Sequence, residues 1–133
     1  MSARVSFILL AAAAALSGCG QASTASSAGD KFAGLDEAIR SWRTEIQSSE
    51  PACQAKGGKG CEAFEVVCKA ERAIPAEAQA KGESAKVVAA MRWSAWDETR
   101  AEAKPASAVA EFSRTGSSWT RVEAGPVNLS TCA

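Results

Sequence analysis

DKFAGLDEAIRSWRTEIQ, residues Asp30–Gln47, places Phe32, Leu35, Ile39, Trp42 and Ile46 at alternating steps of three and four. That spacing gathers all five side chains on one face of a helix, with Arg40, Arg43 and Glu45 off the stripe. Asp30 suits the N-cap position, where a short side-chain oxygen accepts from an unpaired backbone N–H. The stripe is too short for a coiled-coil seam, so the expectation is a helix that turns one face to a core.

The signals on the C-terminal side of that helix are different. Residues 48–60 carry Pro51, Cys53 and the run Lys56-Gly57-Gly58-Lys59-Gly60, and read as an irregular loop. The glycines and lysines do not have phosphate-loop spacing. CEAFEVVCKAERAI, residues 61–74, fits either period. A strand puts Phe64, Val66, Cys68 and Ala70 on one face, and the valine pair tilts the reading that way. Residues 76–85 form a polar connection. KVVAAMRWSAWD, residues 86–97, alternates as a strand, with Val87, Ala89, Met91, Trp93 and Ala95 inward and Arg92, Ser94 and Trp96 outward. A polar hinge over 98–104 ends at Pro105. Strands over 106–114 and 118–122 then flank Thr115-Gly116-Ser117. A two-residue Thr115-Gly116 loop would set Phe112 opposite Trp119, and a longer loop would move that register. Pro126 keeps the tail out of a sheet interior. The expected fold class is α+β: an N-terminal amphipathic helix packed on an antiparallel meander of three to four strands, stapled by disulfides. The order of elements resembles cystatin-like and NTF2-like folds, a likeness that carries no function.

Composition narrows the chemistry. The 133-residue chain has 15 basic and 15 acidic residues and no His or Tyr. Without His there is no Ser-His-Asp or Cys-His nucleophile and no imidazole metal ligand. No basic stripe offers an electrostatic footprint for nucleic acid. Acids such as Glu62, Glu65, Asp97 and Glu98 could in principle do acid–base work. No two of them form a recognisable catalytic pair, and charged residues on alternate strand positions ordinarily face water.

Residues 1–18 read as a signal peptide that is removed. Arg4 precedes an apolar run from Val5 to Leu16 that is too short to span a bilayer, and Leu16-Ser17-Gly18-Cys19 follows. These four residues resemble the lipobox of bacterial lipoproteins. The resemblance implies cleavage between Gly18 and Cys19, with diacylglycerol and an N-acyl chain such as palmitate on Cys19. Three acyl chains exceed the two signals that stable anchoring requires. Gly20, in place of the aspartate associated with inner-membrane retention, points to an outer membrane with the domain facing the periplasm; the inner membrane or cell surface stays open. Residues 19–29 are small and polar and read as a lipidated flexible tether, whose ten residues from Gly20 reach roughly 17–19 Å. Residues 30–133 form the single small globular domain.

Four cysteines then remain: Cys53, Cys61, Cys68 and Cys132. In an oxidising compartment an even set implies disulfides. Cys61 and Cys68 lie too far apart for one bridge in a helix or a strand, because a bridge needs Cα atoms within about 7 Å. The preferred pairing is Cys53–Cys61 with Cys68–Cys132, and the other is Cys53–Cys68 with Cys61–Cys132. The intervals are too wide for the close pairs of a zinc site, and C-x-x-C is absent, so no metal and no cofactor is expected.

The function expected is a lipid-anchored, non-enzymatic binding or structural module that meets an envelope protein or glycan, with Trp96, Arg92 and Trp119 as its contact surface. A small-ligand pocket or carboxylate-dependent hydrolase is the second reading and requires acids on the concave sheet face. A thiol-active or metal-binding lipoprotein is the third and requires free cysteines. Lipoproteins that inhibit lysozyme share the size and anchor, but their Tyr-bearing motif has no counterpart here.

Overall fold

The long apolar run in the middle of the chain becomes the centre of the sheet. In a computed structural model that describes residues 29–133, strand β2 spans Glu83–Asp97. It pairs antiparallel with β1, Cys61–Glu71, on one side and with β3, Glu102–Thr115, on the other. Strand β4, Ser118–Glu123, completes a four-stranded meander in the order β1-β2-β3-β4. The helices are α1, Leu35–Ser49, α2, Pro51–Gly58, and the short α3, Ala76–Ala80. The segments expected to be a signal peptide, a lipobox with Gly18 and Cys19, and a tether up to Ala28 lie outside the described residues.

Both faces of β2 are buried from Val87 to Met91, which is why that run is continuously apolar. Val87, Ala89, Met91, Trp93 and Ala95 share one cluster with Phe112 and with Leu35, Ile39, Trp42 and Ile46 of α1. Trp42 meets Phe112 edge-on at 5.8 Å between ring centroids. On the opposite face, Val88, Ala90 and Val109 are covered by the C-terminal tail through Val127, Leu129 and Cys132. Two disulfides staple this arrangement. Cys53–Cys61 joins α2 to the start of β1, and Cys68–Cys132 ties the tail to β1.

Several local expectations are corrected. The helix begins at Leu35, not at Asp30. Gly34 takes the left-handed conformation with φ 84°, which an unbroken helix from Asp30 would forbid, and it lies in contact with the Trp119 ring. Asp30 instead closes a turn, accepting from the Phe32 N–H at 2.8 Å. Residues 51–58, expected as irregular, contain helical turns on either side of a kink at Ala55–Gly57. Pro51 sits in the first turn, where an N–H would have no partner within the helix.

Residues 61–71 are a strand, but its faces are not simply alternate. Register shifts fall between Glu62 and Glu65 and between Val66 and Cys68. Each inserts residues into one strand and reverses the side-chain alternation beyond it. Phe64 therefore packs on the α1 side, stacked on Trp93 at 5.4 Å, while Cys68 and Ala70 face the tail. Val66 is left partly exposed.

The expected hinge over 98–104 is a tight turn, with Glu102 already in β3. Pro105 lies inside β3 opposite Ser94. Strand β4 pairs only with Ala110–Thr115, so Pro105 occupies a stretch of open edge where its missing N–H breaks no ladder.

The β3–β4 loop is Gly116-Ser117, closed by Thr115 opposite Ser118. Phe112 consequently pairs with Arg121, and Trp119 pairs with Arg114. A Thr115-Gly116 loop would put a β-branched residue at the first loop position. There the hairpin turn wants positive φ, which Gly116 supplies at 61°.

Candidate functional site

The alternation of β2 sends Arg92, Ser94 and Trp96 to the tail side of the sheet, and the tail stops short of them. This leaves a hollow of about 500 Å³ whose lining includes Glu65, Arg92, Ser94, Ala103 and Pro105. Arg92 donates to Glu65 Oε2 at 2.9 Å across the β1–β2 ladder, and both side chains are exposed. Such a pair is worth about 0–1 kcal/mol in stability and remains available to a ligand.

Trp96 lies at the end of this face. Its backbone N–H donates to the Gly60 carbonyl at 2.8 Å, which extends the β1–β2 pairing by one bond. The Lys56 ammonium stands 4.0 Å from the centroid of its ring. The Cys53–Cys61 bridge returns the chain sharply between those residues, and Lys56 itself takes a left-handed conformation, φ 53°. Trp96 is thereby half-buried rather than fully exposed. The Lys56–Trp96 contact could not be read from spacing, since the two are brought together only by the bridge and the β1–β2 register.

Trp119 does not join Arg92 and Trp96. It pairs with Arg114, which pairs with Ala85, and all three lie on the α1 side of the sheet. Its Nε1–H donates to the Ala33 carbonyl at 2.8 Å, and its ring packs against Gly34. The expected trio is thus split between two faces, and Trp119 serves to seat the entrance to α1.

The other sequence candidates have structural partners. Cys53, Cys61, Cys68 and Cys132 are all in bridges, so the free thiols a thiol-active protein would use are not found among the described residues. No group of three metal-ligating side chains occurs among them either. The face beneath α1 is filled by Val87, Met91, Trp93 and Phe112, where a carboxylate-dependent pocket would need acids.

Asp97 closes the β2–β3 turn. Lys104 donates to its Oδ2 at 2.9 Å, and the Thr99 and Arg100 N–H groups donate to Oδ1 at 3.0 and 3.3 Å. The Lys104 hydrogen bond, followed by the Arg100 N–H, holds this carboxyl below its ordinary pKa. A depressed folded pKa gives stability that is complete above the unfolded value and lost as pH falls through the folded one. In an NMR titration the Thr99 and Arg100 amides should therefore shift together, with a midpoint below the usual aspartate range. Asp97→Asn should remove that transition. A midpoint at or above the usual range would show that the carboxylate does not hold the turn.

Comparison with protein-family models, curated proteins and solved structures returns no match, so the site is interpreted from its own geometry.

Proposed function

We propose that the protein is a lipid-anchored module of the bacterial cell envelope that binds another envelope component, protein or glycan, without catalysing a reaction. One observation carries this reading. The two disulfides consume every cysteine of the described domain, which leaves Cys19 of the lipobox as the single thiol of the chain. Disulfides of this kind belong to exported proteins, and a lone thiol at the end of a signal peptide is the acceptor for lipid. No helix among the described residues is long and apolar enough to cross a membrane. Gly20 favours the outer membrane and a periplasm-facing domain.

The topology gives the anchored domain a direction. Arg114, beside the β3–β4 turn, donates to the Asp30 carbonyl at 2.8 Å and fixes the point where the tether enters. Trp96 and the β2–β3 turn lie at the other end of the same strands. From Ala85 to Trp96 the distance along β2 is about 35 Å at 3.3 Å per residue. A domain held by Cys19 would therefore carry the Arg92–Trp96 face at the end of the strands remote from the point where the tether enters.

The test is the intact mass of the membrane-extracted protein, with thiols alkylated before and after reduction. The expected product begins at Cys19, carries three acyl chains and takes up label at four sites only after reduction. Cys19→Ser should accumulate as the unlipidated precursor. A mass that retains residues 1–18, or label taken up before reduction, would overturn the reading.

A further inference from the structure

Strand β4 stops pairing at Ala110, and from there the edge of β3 is open among the described residues. The Ala124 N–H donates to the Val109 carbonyl at 3.0 Å, so the polar groups of Val109 point to the β4 side. Alternation along a strand turns those of Ser107, Pro105 and Ala103 the same way. Ala103, Pro105 and Ser107 are exposed. Two N–H groups and three carbonyls thus stand in a row where β4 would have continued had the chain not left to cross the other face.

The vacant lane has walls. On the α1 side is a hollow of about 130 Å³ with a floor of Ile46, Trp93 and Ala108. Its rim carries Glu45, Glu50 and Glu123 around one cation, Arg121, which is already paired with Glu45 and Glu123. On the tail side is a hollow of about 430 Å³ lined by Val109, Pro126, Val127 and Leu129. An apolar floor below an acidic rim suits a lysine or arginine, whose aliphatic stem packs while its charge stays at the edge. The tail-side hollow suits an apolar residue.

We propose that the Ala103–Ser107 edge of β3 is a docking lane for an extended peptide, which adds as an antiparallel strand and alternates basic side chains toward α1 with apolar ones toward the tail. Strand addition of this kind takes affinity from main-chain hydrogen bonds and specificity from pockets for alternate side chains. Pro105 removes one donor from the row, which limits open-ended stacking of sheets while leaving room for a short ligand. This names the partner class for the binding role proposed above. It rests on that role and not on the lipid anchor, so the mass measurement at Cys19 and the test below fail independently.

The probe is an end-capped hexapeptide of alternating valine and lysine, added to the full mature protein in detergent. Amide exchange at Ala103 and Ser107 should slow at least about tenfold, and the matching valine–glutamate peptide should bind at least about tenfold more weakly. Glu50→Lys, an exposed position, should weaken the lysine peptide several-fold. Ser107→Pro should abolish protection at Ala103 with an unchanged far-UV spectrum; if that variant does not fold, Glu50→Lys and the two peptides still decide. No protection at millimolar peptide, or equal binding of the two peptides, would overturn the proposal. So would peptide-independent dimers that protect the same edge, which would assign the lane to a second copy.

Discussion

Trp42→Ala is expected to lower the free energy of unfolding by about 3–5 kcal/mol, the range for removing a buried tryptophan. Trp42 is 2% exposed, lies edge-on against Phe112 and has the Arg121 guanidinium 5.9 Å from its ring. The cost is placed high because the surroundings cannot collapse into the space. Many of the buried sheet positions are alanine, including Ala85, Ala89, Ala95 and Ala110, and alanine has no rotamer with which to fill a cavity. A domain of this length has about 5–15 kcal/mol to lose, so the variant should sit near its unfolding limit. Urea unfolding followed by far-UV circular dichroism gives the value. Trp42→Phe, which keeps the edge contact, should recover more than half. A loss below about 1.5 kcal/mol in the alanine variant, within the ordinary scatter of single substitutions, would show that α1 is not held through this residue.

Removing the Cys68–Cys132 bridge is expected to cost more than removing Cys53–Cys61. The two close loops with sequence separations of 64 and 8. The chain-entropy estimate gives about 4 kcal/mol for the long loop and about 2.5 for the short one. Packing widens the gap. Without its bridge, the tail loses the tie that keeps Val127 and Leu129 on Val88, Ala90 and Val109, together with the Arg72 hydrogen bond to the Cys132 carbonyl. The paired variants Cys68→Ala/Cys132→Ala and Cys53→Ala/Cys61→Ala avoid stray thiols. Their denaturation midpoints compare the bridges directly, and a short-loop variant as unstable as the long-loop one would contradict the role given to the tail. The short-loop variant should also release Lys56 from Trp96, seen as a change in tryptophan emission with little change in the sheet.

The two classes of element were legible to different degrees. The Val87–Ala95 stripe was readable because period-two alternation is a property of the chain itself, and the disulfide pairing preferred from spacing is the one present. The start of α1 was not readable, because the spacing of Phe32 mimics a helical turn while Gly34 takes a conformation that ends it. The contact surface was misread for a related reason. Alternation along β2 is enough to turn Trp96 outward, but the face of Trp119 depends on the number of residues in the β3–β4 loop, and Gly116-Ser117 sets it opposite Arg114 on the α1 side. The bulge at Val67 moved Phe64 and Cys68 to opposite faces, and nothing in local propensity marks a bulge there.

By itself the sequence determined what short-range chemistry can encode: a resemblance to a lipobox at residues 16–19, strands and helices by period, and an even set of cysteines in the domain. Only the tertiary structure decided which side chains meet. The Lys56–Trp96 contact, the seat of Trp119 on Ala33 and the open edge at Ala103–Ser107 each depend on register, chain reversal and the path of the tail. These are long-range pairings, in which a one-residue slip exchanges the two faces of a strand, and no local pattern can specify them.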